Sequence, residues 1–134
     1  MSKLPRFWIE HAPDWRNEPL AYWVHVEQGP GHWRAATEYA PPAPKPDGKK
    51  GYRVLCVEAG DVVLRFSSDA QLAEFVRVLS QKPLPTSLRL SRQRGPSVGP
   101  NGHWLSRLPA RLKSPKARIR LVSQLSALAG RIDD

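Results

Sequence analysis

Ten of the eleven aromatic side chains lie before position 82, and only Trp104 follows it. Because the bulkiest apolar groups contribute most to a core, this asymmetry places the core in the first three-fifths of the chain. Charge is divided the opposite way. Residues 1–81 carry ten basic and ten acidic side chains, whereas residues 82–134 carry eleven basic ones against only Asp133 and Asp134. The whole net charge of +9 therefore belongs to the last two-fifths, and no acid occurs from position 75 through 132. The expected organisation is an α+β core domain over 1–81, followed over 82–134 by a basic Pro/Gly-rich loop and a C-terminal amphipathic helix. With one aromatic and much unopposed charge, the second segment cannot fold alone. It must dock on the first part or order itself on a partner.

Several function classes fall away at this level. The chain has 134 residues, the size of one ordinary domain around one core. No stretch approaches the roughly 18 uninterrupted apolar residues of a membrane span. The opening "MSKLPRFWIEH" lacks the apolar region of a secretory signal, so a cytoplasmic location is expected. Cys56 is the only cysteine, which leaves no internal disulfide and no thiolate zinc site; within "YRVLCVE" it reads as buried and inert. His11, His25, His32 and His103 show no metal-ligand spacing, and no cofactor motif is present. "GPSVG" (95–99) satisfies the GxSxG nucleophile pattern, but that pattern needs a strand before it and a helix after it. Both flanks read as loop, so Ser97 is set aside. Glu10, His11 and Asp14 lack the pocket that an acid/base set requires. A non-catalytic role is expected.

Local patterning supplies the elements. "RFWIEH" (6–11) and "YWVHVEQ" (22–28) alternate bulky and polar residues, predicting an antiparallel pair across a turn-rich connection. "HWRAATEYA" (32–40) reads as a strand ending at Pro41. "PPAPKPDGKKG" (41–51) is an extended, exposed loop, since its prolines remove backbone donors. "YRVLCVE" (52–58) and "VVLRF" (62–66) predict a hairpin on β-branched density. A helix follows over 68–81, with Ser68 and Gln71 as a capping box and Leu72, Phe75, Val76 and Leu79 as its apolar stripe. These segments give an antiparallel sheet of four to five strands with one covering helix. Residues 82–102 show no period and read as linker. "HWLSRLPARLK" (103–113) reads as a short helix or two turns because Pro109 interrupts it. "SPKARIRLVSQLSALAG" (114–130) has Ser as N-cap, Pro at N1 and Gly130 as terminator.

On a helical wheel Leu121, Leu125, Leu128 and Ile132 fall within about 60° of one another, opposite Lys116, Arg120 and Ser123. The basic residues crowd the wrong end of this helix. Lys116, Arg118 and Arg120 occupy its first turns, where the helix dipole disfavours a cation by roughly 0.3 to 1 kcal/mol. A helix N-terminus ringed by cations is an anion site. The sequence thus predicts contact with nucleic-acid phosphates, DNA or RNA, by Arg107, Arg111, Lys113, Lys116, Arg118 and Arg120. Arg92 and Arg94 are expected to be adjustable contacts in a loop. Trp104 is expected to be either a base-stacking platform or a core anchor. The alternative is a protein-interaction module, an inhibitor or adaptor, whose Leu121, Leu125, Leu128, Ile132 stripe packs on a second chain. Membrane-surface binding by the same face ranks below both, since that face has no aromatic anchor.

Overall fold

The computed structural model describes residues 4–95 and 103–132. Its main sheet has three antiparallel strands in the order β1-β4-β5: β1 is Phe7–Ala12, β4 is Tyr52–Ala59 and β5 is Val62–Phe66. The expected hairpin is its clearest part. Gly60, at φ +64°, and Asp61 make the two-residue turn, and Ala59 pairs with Val62. β4 is central, with Leu55 opposite Ile9 on one side and Phe66 on the other. Val54, Leu55, Cys56 and Val57 have no exposed surface, which explains why this strand reads as a continuous apolar run rather than an alternation.

The sheet is smaller than the four to five strands expected. The segment 22–28 does not pair with β1. Residues Ala21–Val24 form a single helical turn, α1, and only Val26–Glu27 is strand, β2, paired with Tyr39–Ala40, β3, in a separate two-stranded ribbon. Aromatic and β-branched content favours a strand at "YWV", but packing overrides it. In the helical turn Leu20, Ala21 and Val24 all become buried. Residues Trp33–Ala35 form a 3-10 turn where strand was expected. Trp15, Ala21 and Tyr39 are buried as a satellite cluster, with Trp15 edge-on to Tyr39 at 5.0 Å and to Trp33 at 5.6 Å between ring centroids.

Helix α2, Asp69–Leu79, starts at Ser68, whose Oγ accepts from the Gln71 N–H at 3.2 Å. The Gln71 side chain reaches back one residue further than a capping box requires, accepting from the Ser67 N–H and donating to the Ser67 hydroxyl. Leu72, Phe75, Val78 and Leu79 are buried on the sheet. A helix, α3, Ser87–Arg94, capped by Thr86, lies where linker is expected, and the short helix expected over 103–113 is α4, Trp104–Arg107, capped by His103. A 3-10 turn, Ala110–Leu112, follows Pro109, and α5, Pro115–Ser126, follows Ser114. Gly130 turns the chain with φ +86°, and its N–H donates to the Asp69 carboxylate.

The stripe Leu121, Leu125, Leu128, Ile132 is 4, 0, 0 and 4% exposed. It packs in the same buried cluster as Leu55, Val57, Phe66 and Phe75, together with Leu90, Trp104, Leu105 and Leu108. The basic segment therefore docks on its own body. In this arrangement the stripe, which the alternative reading would pack on a second chain and the third on a lipid surface, is covered by the protein itself. One continuous core crosses position 81.

The other face of the sheet is closed by a polar net. Trp8 Nε1–H donates to Glu10, and Arg65 donates to Glu10 at 3.0 Å and Glu18 at 2.8 Å. Beneath it Cys56 is fully buried, and burial pushes its thiol up to about 11. This protonated thiol is a poor nucleophile at neutral pH. No helix among the described residues is long and apolar enough to cross a membrane.

Candidate nucleic-acid interface

The nine predicted contact residues separate into three groups by environment. Three are turned inward. Trp104 is 5% exposed and stacks on Phe75 at 4.6 Å and 27°, so its ring is a core anchor with no face left for a base. Arg94 is on α3 rather than in a loop, with its side chain 7% exposed. Its Nε donates to the Tyr22 carbonyl at 2.8 Å, its Nη2 to the Glu27 carboxylate, and the guanidinium lies over the Tyr22 ring. Arg118 is 8% exposed and donates through Nη1 to the Gln81 carbonyl at 3.0 Å. Arg94 thus ties α3 to the β2 ribbon. Replacing it with Ala is expected to lower stability by about 2 kcal/mol by leaving Glu27 half-buried and unpaired, as read from the urea midpoint at constant m.

Five are turned outward. Arg92, Arg107, Arg111, Lys116 and Arg120 are exposed, and Lys113 is half-buried at the end of the 3-10 turn. Among the described residues Arg92, Arg107, Lys113, Lys116 and Arg120 have no ion-pair partner. Arg111 pairs with Asp61 in the hairpin turn, both side chains more than half exposed, an arrangement worth at most about 1 kcal/mol and easily exchanged for another anion. Lys82 and Arg89, which sequence reasoning did not single out, are exposed as well.

Arg111, Lys116 and Arg120 come together around a groove of about 810 Å³ whose floor includes Leu112, Leu121 and Gln124. The helix that positions them follows directly from its sequence. Ser114 caps α5, Pro115 pre-sets the first φ, and the buried 121/125 stripe turns 116 and 120 outward. The single carboxylate on the groove's lining, Glu58, faces Arg6 at 3.7 Å. The backbone contributes little to this site. Pro115 has no N–H, the Ala117 N–H goes to Ser114 Oγ at 3.4 Å, and the Arg118 N–H goes to the Ser114 carbonyl. Of the first-turn donors only the Lys116 N–H remains, so anion attraction rests on side chains and the dipole rather than on a ring of amides.

Two buried histidines could be mistaken for chemistry. His25 Nδ1–H donates to the Pro41 carbonyl at 3.0 Å, which leaves Nε2 to accept from the Ser68 hydroxyl at 3.1 Å. This has the outline of a nucleophile and its base, but His25 has no exposed surface from which to protonate a leaving group. It clamps the proline loop to the start of α2. Burial holds its pKa below the ordinary value. His103, 3% exposed, accepts from the Leu105 N–H through Nδ1, and burial lowers its pKa from 6.5 to about 4.

A folded-state pKa below the unfolded one means that the unfolded chain takes up a proton the fold refuses. Stability is complete above pH 6.5 and falls as pH drops from 6.5 towards 4, by about 2 to 3 kcal/mol for His103. His103→Asn, which keeps a capping acceptor, is expected to flatten that part of the urea-midpoint profile between pH 7 and 4.5. Among the described residues no three His, Cys, Asp or Glu side chains group as a metal site. "GPSVG" with Ser97 extends beyond the described residues. Comparison of the chain with protein-family models, with characterised proteins and with solved structures found no match.

Proposed function

We propose that this protein binds nucleic acid without catalysing a reaction on it, through the outward cations of its C-terminal half. The observation that carries the reading is the placement of Lys116 and Arg120. Both are exposed on α5, with no acidic partner among the described residues, and Lys116 sits in a first turn that holds no acid. Stability alone would place Asp or Glu there. Arg107, Arg111, Lys113 and Arg92 extend the basic surface, while Arg94, Arg118 and Trp104, occupied inside the fold, are left out of it. Phosphates are the contacts implied, which does not distinguish DNA from RNA, and the cytoplasm is the proposed compartment.

The test is fluorescence anisotropy of labelled duplex and single-stranded oligonucleotides over a salt series. About six phosphate contacts predict that log affinity for a duplex falls with log salt at a slope near −5. A slope near zero, or no binding at low salt, would refute the reading.

A further inference from the structure

Arg118 is a buried charge that the fold does not fully satisfy among the described residues. It is 8% exposed, and among the described residues only the Gln81 carbonyl just beyond α2 accepts from it. Among the described residues its Nε–H is buried with no acceptor and no carboxylate pairs with it. The α2 carbonyl end offsets part of the charge. A guanidinium without a counter-ion is nonetheless costly to bury, and an orphaned buried donor calls for a reason.

The surroundings supply one. Arg118 stands in the wall of a groove of about 490 Å³ between the end of α2 and α5. Leu79, Pro115, Ile119 and Val122 make most of the remaining wall apolar, Ser80 adds a hydroxyl and Lys82 a second cation, and no acid lines it among the described residues. Ile119, 61% exposed, stands between this groove and the one that gathers Arg111, Lys116 and Arg120, and lines both. Arg118 lines this groove, and a guanidinium receives a carboxylate through short charge-assisted hydrogen bonds. Small-ligand sites share this composition, an apolar cleft of a few hundred Å³ with one or two polar groups that fix orientation.

We propose that this groove binds a small anionic amphiphile, a carboxylate on an unbranched apolar chain. The head meets Arg118 and Lys82, and the chain lies over Leu79, Ile119 and Val122. The site adjoins the proposed nucleic-acid groove at Ile119 but shares no cation with it, and it does not depend on that reading.

Titration of the full-length protein with decanoate, kept below its micelle concentration, against decan-1-ol tests the proposal by calorimetry. Saturable decanoate binding at least about tenfold tighter than that of the alcohol is expected, because only the acid satisfies the guanidinium. Arg118→Met, which keeps length and apolar bulk, is expected to abolish that preference while leaving oligonucleotide binding within about twofold. Lys82→Met, at an exposed position, is expected to weaken decanoate alone and serves if the first variant does not fold. Equal affinity for acid and alcohol, no saturable binding of decanoate, or an undiminished preference in a folded Arg118→Met would overturn the proposal.

Discussion

Residues 1–81 expressed alone are expected to remain unfolded, with no cooperative urea transition and with collapsed amide dispersion. The segment removed carries Leu90, Trp104, Leu105, Leu108, Leu121, Leu125, Leu128 and Ile132, each at most 7% exposed in the intact protein. Burying one such side chain stabilises a fold by roughly 1.5 to 3 kcal/mol, so the set exceeds roughly 10 kcal/mol, while a domain of this size has a net stability of about 5 to 15 kcal/mol. Truncation also uncovers Phe75, on which Trp104 stacks, and the sheet face carrying Leu64 and Phe66. A cooperative transition in the fragment, detected by circular dichroism and by dispersion of its amide resonances, would show that the first part folds independently of the basic segment. The same dependence has a practical consequence. The nucleic-acid surface is properly mapped by point changes in the full chain, since deletion would remove fold and charge together.

How much of this was legible in the sequence depended on whether a local signal agreed with packing. The 52–66 hairpin has β-branched density on both sides of a Gly-Asp turn, and α2 and α5 carry serine caps and apolar stripes that are buried as expected, except that Val78 rather than Val76 is buried on α2 and Arg118 is buried on α5. Those elements read correctly because propensity, periodicity and capping point the same way. "YWV" at 22–24 misleads because its residue types favour a strand while the gain from burying Leu20, Ala21 and Val24 together favours a turn of helix. Helix α3 left little trace, since only Leu90 and Ser91 are buried along it and a single buried edge leaves no period. The Thr86 cap was its one readable signal.

For the site, charge sign and position in the chain were legible, but orientation was not. Lys116 and Arg120 fall opposite the apolar stripe and are exposed as a wheel predicts. Arg94 and Arg118, equally basic in sequence, are withdrawn by partners distant in the chain: Glu27 and Tyr22 for one, Gln81 for the other. Such pairings depend on tertiary proximity, which no spacing rule encodes.

The proposed role of the outward cations is tested most directly by the triple variant Arg111→Glu, Lys116→Glu, Arg120→Glu, compared with the unaltered protein for thermal stability and for duplex binding across salt. All three positions are exposed, and the one ion pair lost among the described residues, Arg111 with Asp61, lies in solvent. Glu at position 116 suits the helix dipole by roughly 0.3 to 1 kcal/mol. The melting temperature is therefore expected to stay level or rise. Binding is expected to weaken on the order of a hundredfold at fixed salt, and the slope of log affinity against log salt to fall from about −5 to between about −2 and −3, as three phosphate contacts are lost. A variant that is folded and binds the duplex with unchanged affinity and unchanged salt slope would contradict the assignment of this face to nucleic acid.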